Sequence, residues 1–386
     1  MVVKIVIPEK VKWAINTFKH YKSAGPDGVF PVLLQEGLEQ IVGPLTRTLK
    51  ACIAMGYTPS AWKLARVVFI PKAGRTSYTK AKDFRPISLT SFLLKTLEKL
   101  VDAYLRETTL WRYPLHKNQH AYCPDYSTKT ALHQTVAFIE EQLEGKGYAV
   151  GAFLDIEGAF NNTPHEVVCK EATRRGVPMK FVEWIRGMLG RRVMTSLGTA
   201  KVCGWVGRDC PQGGVLSPLF WCLVADGLLK ALDDGGFIAQ VYADDVAILV
   251  RVPFLKTFLE LMQGALEVVE EWCQRTGLTV NPLKTGLTVF TRKYKVGTIV
   301  GPTLGGIRLT YAAVVWWTRV QKKTAKVALE HVRALILRGA LGAMVTTPVA
   351  AMGVMFGIEL FHQVVVAASA MAAYRLRCEL KWKKGA

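Results

Sequence analysis

The sequence contains no C-x2-C pair, and its eight cysteines (52, 123, 169, 203, 210, 222, 273 and 378) form no cluster with histidine. That spacing excludes a zinc knuckle, supplies no disulfide framework and fits a reducing intracellular compartment, cytoplasm or nucleus. Acid is scarce as well. Thirty Asp and Glu face 50 Lys and Arg, a formal charge of +20. Such a balance suits a polyanion, nucleic acid above all, far better than an acidic protein surface; a basic membrane-surface protein shares it. No apolar leader opens the chain, because Lys4, Glu9 and Lys10 arrive too early for a signal-peptide core, and the start reads as lying inside a folded region. Repeats and low-complexity segments are missing. One long uncharged run exists, Gly339 to Ile358, but it is rich in Ala and Gly, holds Thr346, Thr347 and Pro348 at its centre and is followed by Glu359. A broken pair of buried helices explains it better than a membrane span.

What is present is a chain of 386 residues, 50% hydrophobic, enough for a substantial core and two or three subdomains. "KSAGPDGVFPVLL" (22–34) is a Gly/Pro turn entering a helical stretch. "RVVFIPK" (66–72) reads as a strand, followed by a basic loop and then an amphipathic helix in "SLTSFLLKTLEKLV" (88–101). From Lys63 to Arg85 there are seven Lys or Arg and one acid, Asp83. A solvated loop accounts for such a run; so does a grip on triphosphate or a template backbone.

Two acidic strand ends stand out. In "YAVGAFLDIEGAFNNT" (148–163) an apolar strand runs into Asp155. In "VYADDVAILV" (241–250), Asp244 and Asp245 sit side by side between apolar runs that read as a hairpin. Each alone has an ordinary explanation, an N-cap or a turn. Together they offer three carboxylates at strand ends, the donor set of a two-metal phosphoryl-transfer site, where hard cations remove the repulsion between neighbours. Between them, Gln212, Gly213 and Gly214 form a flexible loop, and Ser217 with Pro218 reads as N-cap and N1 of an apolar helix. Downstream, Phe258, Met262, Leu266 and Val269 share one face of an amphipathic helix that Gly277 terminates, and Lys284 follows in the next loop.

"KSAGPDG" (22–28), "DFRPISLTSFLLKTLEKLV" (83–101), "FLDIEGAF" (153–160), "CPQGGVLSP" (210–218) and "YADD" (242–245), in this order, resemble the reverse transcriptase domain of non-LTR (LINE-type) retrotransposons, the insect jockey and related groups in particular. The likeness covers roughly residues 20 to 310 and more loosely the tail. It implies an α+β right-hand polymerase: a lead-in at 1–20, interleaved fingers and antiparallel palm over 21–290, the end of the palm at 291–310, and a basic helical remnant of an incomplete thumb at 311–386. It implies RNA-directed DNA polymerase activity on an RNA template and a DNA primer or target, with dNTPs as substrates and no membrane. The cofactor expected is Mg2+, two ions, with Mn2+ as the alternative. At matched positions, Asp155, Asp244 and Asp245 become the metal ligands with the Ile156 carbonyl beside them. Arg85 and Lys72 contact the triphosphate, Phe160 lies against the sugar, Gln212 lies near the nascent pair, and Lys284 protonates pyrophosphate.

The sequence also departs from the family. Asn161 stands where relatives usually carry Asp, and Asp125 stands where they carry Gly. The family endonuclease has no counterpart, so this chain alone is expected not to nick a target. After "GPTLGGIRLT" (301–310) the expected "KYLGV"-like hairpin gives way to "YAAVVWWTRV" (311–320), as if a segment had been removed, and the tail from Tyr311 carries eleven Lys and Arg against three Glu. The expected consequence is weak, distributive extension. Three other readings share features with this one: a degenerate or domesticated element product that binds nucleic acid without polymerising, a basic membrane-associated protein, and a viral RNA polymerase, which the bulk of Phe160 disfavours.

Overall fold

The computed structural model of the chain describes residues 5–72, 78–197, 199–282, 284–292 and 301–309. Within them the order is α1 (Pro8–Asn16), α2 (Pro31–Glu36), α3 (Leu38–Ala54), β1 (Leu64–Pro71), β2 (Phe84–Leu89) and α4 (Phe92–Tyr104). Then come α5 (Thr128–Glu144), β3 (Tyr148–Asp155), α6 (Ala159–Asn162), α7 (His165–Arg174), α8 (Met179–Leu189), β4 (Arg191–Leu197) and β5 (Ala200–Val206). Next are α9 (Ser217–Asp234), β6 (Ile238–Tyr242), β7 (Asp245–Val252), α10 (Leu255–Thr276), β8 (Gly286–Thr291), β9 (Thr303–Leu304) and β10 (Ile307–Arg308). This mixture of helices with two four-stranded sheets is an α+β fold.

One sheet, in the order β6-β7-β3-β8, is antiparallel throughout. Its register sorts the side chains. Tyr148, Val150, Ala152 and Leu154 of β3 lie on the same face as Val246, Ile248, Val250 and Val252 of β7 and as Leu287 and Val289 of β8, and all are buried. α9 packs against β6 and α10 against β7. The α10 stripe of Phe258, Met262, Leu266 and Val269 is at most 1% exposed, and Gly277 closes that helix with a φ of +66°. A slip of one residue in β3 would turn this apolar row to solvent and bury Asp155 instead. At about 1.5–3 kcal/mol for each large apolar side chain, the pairing is strongly specified.

The second sheet, β2-β1-β4-β5, combines antiparallel β1–β2 and β4–β5 pairs with a short parallel β1–β4 contact. β2 is an addition to the sequence reading, which took the segment after "RVVFIPK" as loop and helix only. Pro86 tolerates this place because β2 is an edge strand, where a missing N–H costs little. α1 packs on α3 and α4, with Val11, Ala14 and Ile15 fully buried. Gly25 of "KSAGPDG" lies so close to Thr90 and Ser91 that a Cβ would come within 2.8 Å of their backbone, so this turn rests directly on the β2–α4 junction. All described cysteines are free thiols.

Among the described residues no helix is long and apolar enough to cross a membrane. The uncharged run at 339–358, the change at 310–311 and the basic tail lie outside the described residues.

Candidate active site

The hairpin between β6 and β7 turns on two residues, Ala243 and Asp244, closed by the Tyr242–Asp245 pair. Ala243 has a φ of +54°, the only positive value within the turn, which matches the first position of a II′ turn. Left-handed backbone costs an alanine about 1–2 kcal/mol. Trp221, fully buried on α9, fixes it by donating its Nε1–H to the Ala243 carbonyl at 2.6 Å.

Asp245 begins β7 directly opposite Asp155, the last residue of β3, and Asp244 occupies the turn just before it. The Asp244 carbonyl also accepts the Ile156 N–H at 3.4 Å, joining the two strand ends. Burial first, and then the charges of Asp244 and Asp155, push the Asp245 carboxyl above the usual carboxylate range. Among the described residues one cation pairs with them. Lys284 Nζ lies 2.5 Å from Asp155 Oδ2. The loop that carries Lys284 is stitched to the end of β3: Asn281 N–H donates to the Asp155 carbonyl at 3.1 Å, Glu157 N–H donates to the Thr279 carbonyl at 2.8 Å, and Asn281 Nδ2 donates to Glu157 Oε1 at 2.8 Å.

These donors fit Mg2+. They are hard oxygens, their mutual repulsion calls for positive charge, and among the described residues no hydrogen bond occupies the Ile156 carbonyl. No three His, Cys, Asp or Glu side chains among the described residues already converge as a finished cage. A facing pair with a neighbour in the turn leaves positions for water and a phosphate oxygen, ligands that Mg2+ usually keeps. Beside the carboxylates opens a cleft of about 390 Å3. Phe153, Gln240, Tyr242 and Ala247 of the sheet line it on one side and Ala131 and Leu132 of α5 on the other, with Asp155, Asp245 and Lys284 also bordering it.

Phe160, on the single turn of α6, is half-buried. Its ring centroid is 6.1 Å from that of Trp221 and, edge to face, 6.1 Å from that of Tyr122. The residue expected to meet the sugar therefore shares an aromatic support with the turn that carries Asp244. Tyr122 itself has a φ of +60° and Asp125 one of +64°. The glycine that the resemblance implies at 125 would have a backbone reason, and Asp is among the few other residues that tolerate the left-handed region.

Gln212 lies in a pinned loop rather than a loose one. Its carbonyl accepts the Ser88 N–H of β2 at 2.7 Å, and a Cβ on Gly213, whose φ is +110°, would come within 2.7 Å of the Ser88 carbonyl. The expected cap of α9 is corrected as well: Ser217 is the first helical residue and donates its hydroxyl to the Pro211 carbonyl. The helix is capped from another element. Glu98 of α4, 1% exposed, accepts Val215 N–H at 2.5 Å and Leu216 N–H at 3.1 Å through Oε2. Burial pushes its carboxyl up, while these two donors and the charges of Lys95 and Arg191 pull it down. Buried Arg191 pairs with Asp209, whose other oxygen lies 3.2 Å from His165 Nε2, so the loop is anchored at both ends.

Arg85 is exposed on β2 opposite Ile70, and Lys72, half-buried, follows β1 with its N–H on the Asp83 carbonyl at 2.9 Å. Among the described residues no ion pair links either cation to the aspartates. Sequence reasoning missed Trp221, Glu98 and the Lys284–Asp155 pair. The last two act across 117 to 129 residues, and no local pattern signals them.

Residues 70–326 match the family model described as reverse transcriptase (RNA-dependent DNA polymerase). The chain is 27% identical over 305 residues to the RNA-directed DNA polymerase from mobile element jockey of Drosophila melanogaster, covering 77% of this chain and 33% of that protein. It is 27% identical over 302 residues to the probable RNA-directed DNA polymerase from transposon BS of the same organism (75% and 33%). To the Pol polyprotein from type-1 retrotransposable element R1 of Bradysia coprophila it is 28% identical over 281 residues (72% and 27%). The chain thus spans about a third of the length of the curated relatives it matches. The family match takes in more than half of the chain and contains both acidic strand ends, the pinned Gln212 loop and Lys284; the chain belongs to the reverse transcriptase family.

Proposed function

We propose that this chain is the RNA-directed DNA polymerase part of a non-LTR retrotransposon product, adding dNTPs to a DNA primer 3′-hydroxyl on an RNA template. The observation that carries the reading is the register that sets Asp155 opposite Asp245, with Asp244 in the adjoining turn. In this reading the β6-β7-β3-β8 sheet is the palm and the β2-β1-β4-β5 sheet belongs to the fingers. Asp155, Asp244, Asp245 and the Ile156 carbonyl hold two Mg2+ ions, which when bound acidify the attacking 3′-hydroxyl and neutralise charge on the leaving pyrophosphate. The protein's own groups do the rest. Arg85 and Lys72 grip the triphosphate. Phe160, stiffened by Tyr122 and Trp221, stands against the sugar and excludes a 2′-hydroxyl. The Gln212 loop, held by Ser88 and Glu98, supports the nascent pair. Lys284 pairs with Asp155 in the free protein and supplies a proton to pyrophosphate during the reaction.

The test is extension of a DNA primer on an RNA template by the purified chain with Mg2+ and dNTPs. Template-directed product that disappears on chelation supports the reading. Tight, salt-sensitive binding of the hybrid without any product would make the chain a nucleic-acid binder that no longer polymerises.

A further inference from the structure

Two thiols meet where the loop before α5 touches α9. That loop, 118–126, is laid along β6: Val241 N–H donates to the Asn118 carbonyl at 3.0 Å, and His120 N–H donates to the Val241 carbonyl at 2.9 Å. α9 packs against the same strand. Cys222 of α9, 1% exposed, donates its thiol to the Ala121 carbonyl at 3.5 Å and also forms a hydrogen bond with the thiol of Cys123, two residues further along the loop. Both cysteines are free. Cys123 is half-buried, between the exposed Tyr122 and Pro124.

Packing accounts for a buried cysteine such as Cys222, because a reduced thiol behaves as a small hydrophobe. It does not account for Cys123, which opens toward solvent beside a cation. Arg106 donates from Nη1 to the Tyr122 carbonyl at 3.3 Å and pairs with Asp102 at 2.9 Å. The contact with Cys222 draws the Cys123 thiol down, burial opposes it and the Arg106 charge adds to it; the same contact and burial push Cys222 up. The pair is therefore asymmetric, with an accessible nucleophile backed by a buried thiol that can resolve it. The Gln119 amide, 1% exposed and without a nitrogen or oxygen partner among the described residues, lies against the Cys222 sulfur and steadies it as its proton leaves.

We propose that Cys123 and Cys222 are a dithiol oxidation site whose reactant is a low-molecular-weight disulfide of the glutathione class. The Cys123 thiolate attacks one sulfur of that disulfide and displaces the other as a thiolate, leaving a mixed disulfide. Cys222 then attacks the Cys123 sulfur, its proton passing to the second small thiolate as it leaves. Two cysteine thiols are oxidised to one protein disulfide, and one small disulfide is reduced to two thiols. A bond of about 2.05 Å replaces a longer hydrogen-bonded contact, so closure draws the loop onto α9. Tyr122, the neighbour of Cys123, stands edge to face with Phe160, and Trp221, the neighbour of Cys222, holds the Ala243 turn. Closure thus reaches both supports of the nucleotide site; this consequence, unlike the bond itself, rests on the polymerase reading.

The experiment equilibrates the full, freshly reduced native chain in glutathione buffers of rising oxidised fraction, blocks the remaining thiols by alkylation and maps the non-reduced peptides by mass. The parent should yield a linked Cys123–Cys222 peptide, lighter than its two reduced components by two hydrogens, while the exposed Cys203 acquires only glutathione. Cys222→Ala should trap the mixed disulfide on Cys123 at roughly tenfold or more its level in the parent, because no adjacent thiol resolves it. Cys123→Ser should leave the buried Cys222 unreacted. Amide exchange during the treatment confirms that each protein is folded. A linked peptide that forms only in denaturant, or a mixed disulfide that persists on Cys123 of the parent while Cys222 stays free, would overturn the proposal. The bond is read by mass whether or not the chain polymerises, so linkage in a chain that extends no primer leaves the site standing and removes the polymerase reading. Where the reduced chain extends primers, oxidation should raise the KM for dNTP severalfold in the parent, dithiothreitol should restore it, and Cys123→Ser should respond to neither. An unchanged KM in the linked parent would overturn the coupling to the nucleotide site.

Discussion

Replacing Glu98 with leucine removes the only described acceptor of two N–H groups at the start of α9, Val215 at 2.5 Å and Leu216 at 3.1 Å. Each buried donor left unsatisfied costs about 1–3 kcal/mol, a gross loss of about 2–6 kcal/mol. Relief from burying an ionisable group in a site that already pushes its carboxyl up offsets part of it, so the net expected is about 2–4 kcal/mol. Spread over the unfolding entropy of a chain of 386 residues, that corresponds to a fall in Tm of about 2–5 °C. Glu98→Gln keeps an oxygen for both donors. Its NH2, however, takes the place of Oε1, which has no hydrogen-bond partner among the described residues, so recovery should be partial, about half of the loss or more. The effect is local before it is global: amide exchange at Val215 and Leu216 should accelerate in Glu98→Leu under conditions where β3 amides remain protected. Where the variant extends primers at all, its KM for dNTP should rise, because Gln212 sits in the same pinned loop. A Glu98→Leu protein that melts like the parent with both amides protected would show that the loop does not depend on this carboxylate.

Lys284→Met takes the counter-ion from Asp155. With side chains 60% and 30% exposed, solvent screening limits the loss to about 0.5–1 kcal/mol in chelator, and it should shrink when Mg2+ is added; melting curves with and without the cation check both statements. Asp245→Asn should stabilise the metal-free protein at neutral pH. Because the folded state raises the Asp245 pKa, it binds that proton more tightly than the unfolded chain does, and ionisation costs stability as pH rises through the ordinary carboxylate range. The advantage of the variant should therefore vanish below that range, which denaturant titrations at neutral and acidic pH will measure. Phe160→Ala should raise ribonucleotide incorporation relative to deoxyribonucleotide; an unchanged ratio, with lowered stability alone, would reduce Phe160 to a packing residue between Tyr122 and Trp221.

Legibility followed the range of the interaction. Asp155 and Asp244–Asp245 could be read as strand ends because apolar alternation and a two-residue turn are local signals, and so could the buried stripe and glycine stop of α10. β2 was hidden because "DFRPISL" pairs through an edge, where proline and charge are tolerated and strand patterning is weak. Ser217 beside Pro218 imitates a cap, yet the acceptor is Glu98, supplied by a helix 117 residues earlier. Lys284 was picked out, but its partner in the free protein lies 129 residues away. The thiol pair is likewise invisible in one dimension. Cys123 and Cys222 become neighbours only once the loop 118–126 and α9 both lie against β6.

The central claim is that the carboxylates facing each other at the ends of β3 and β7 support nucleotide addition. It is tested most directly by single-turnover primer extension on an RNA template with Mg2+, comparing the parent with Asp155→Ala at matched hybrid occupancy. The expected result is measurable addition by the parent and a loss of about a thousandfold or more in the variant, with hybrid binding retained, because these ligands act on the transition state rather than on association. Addition by Asp155→Ala at the parental rate would contradict it.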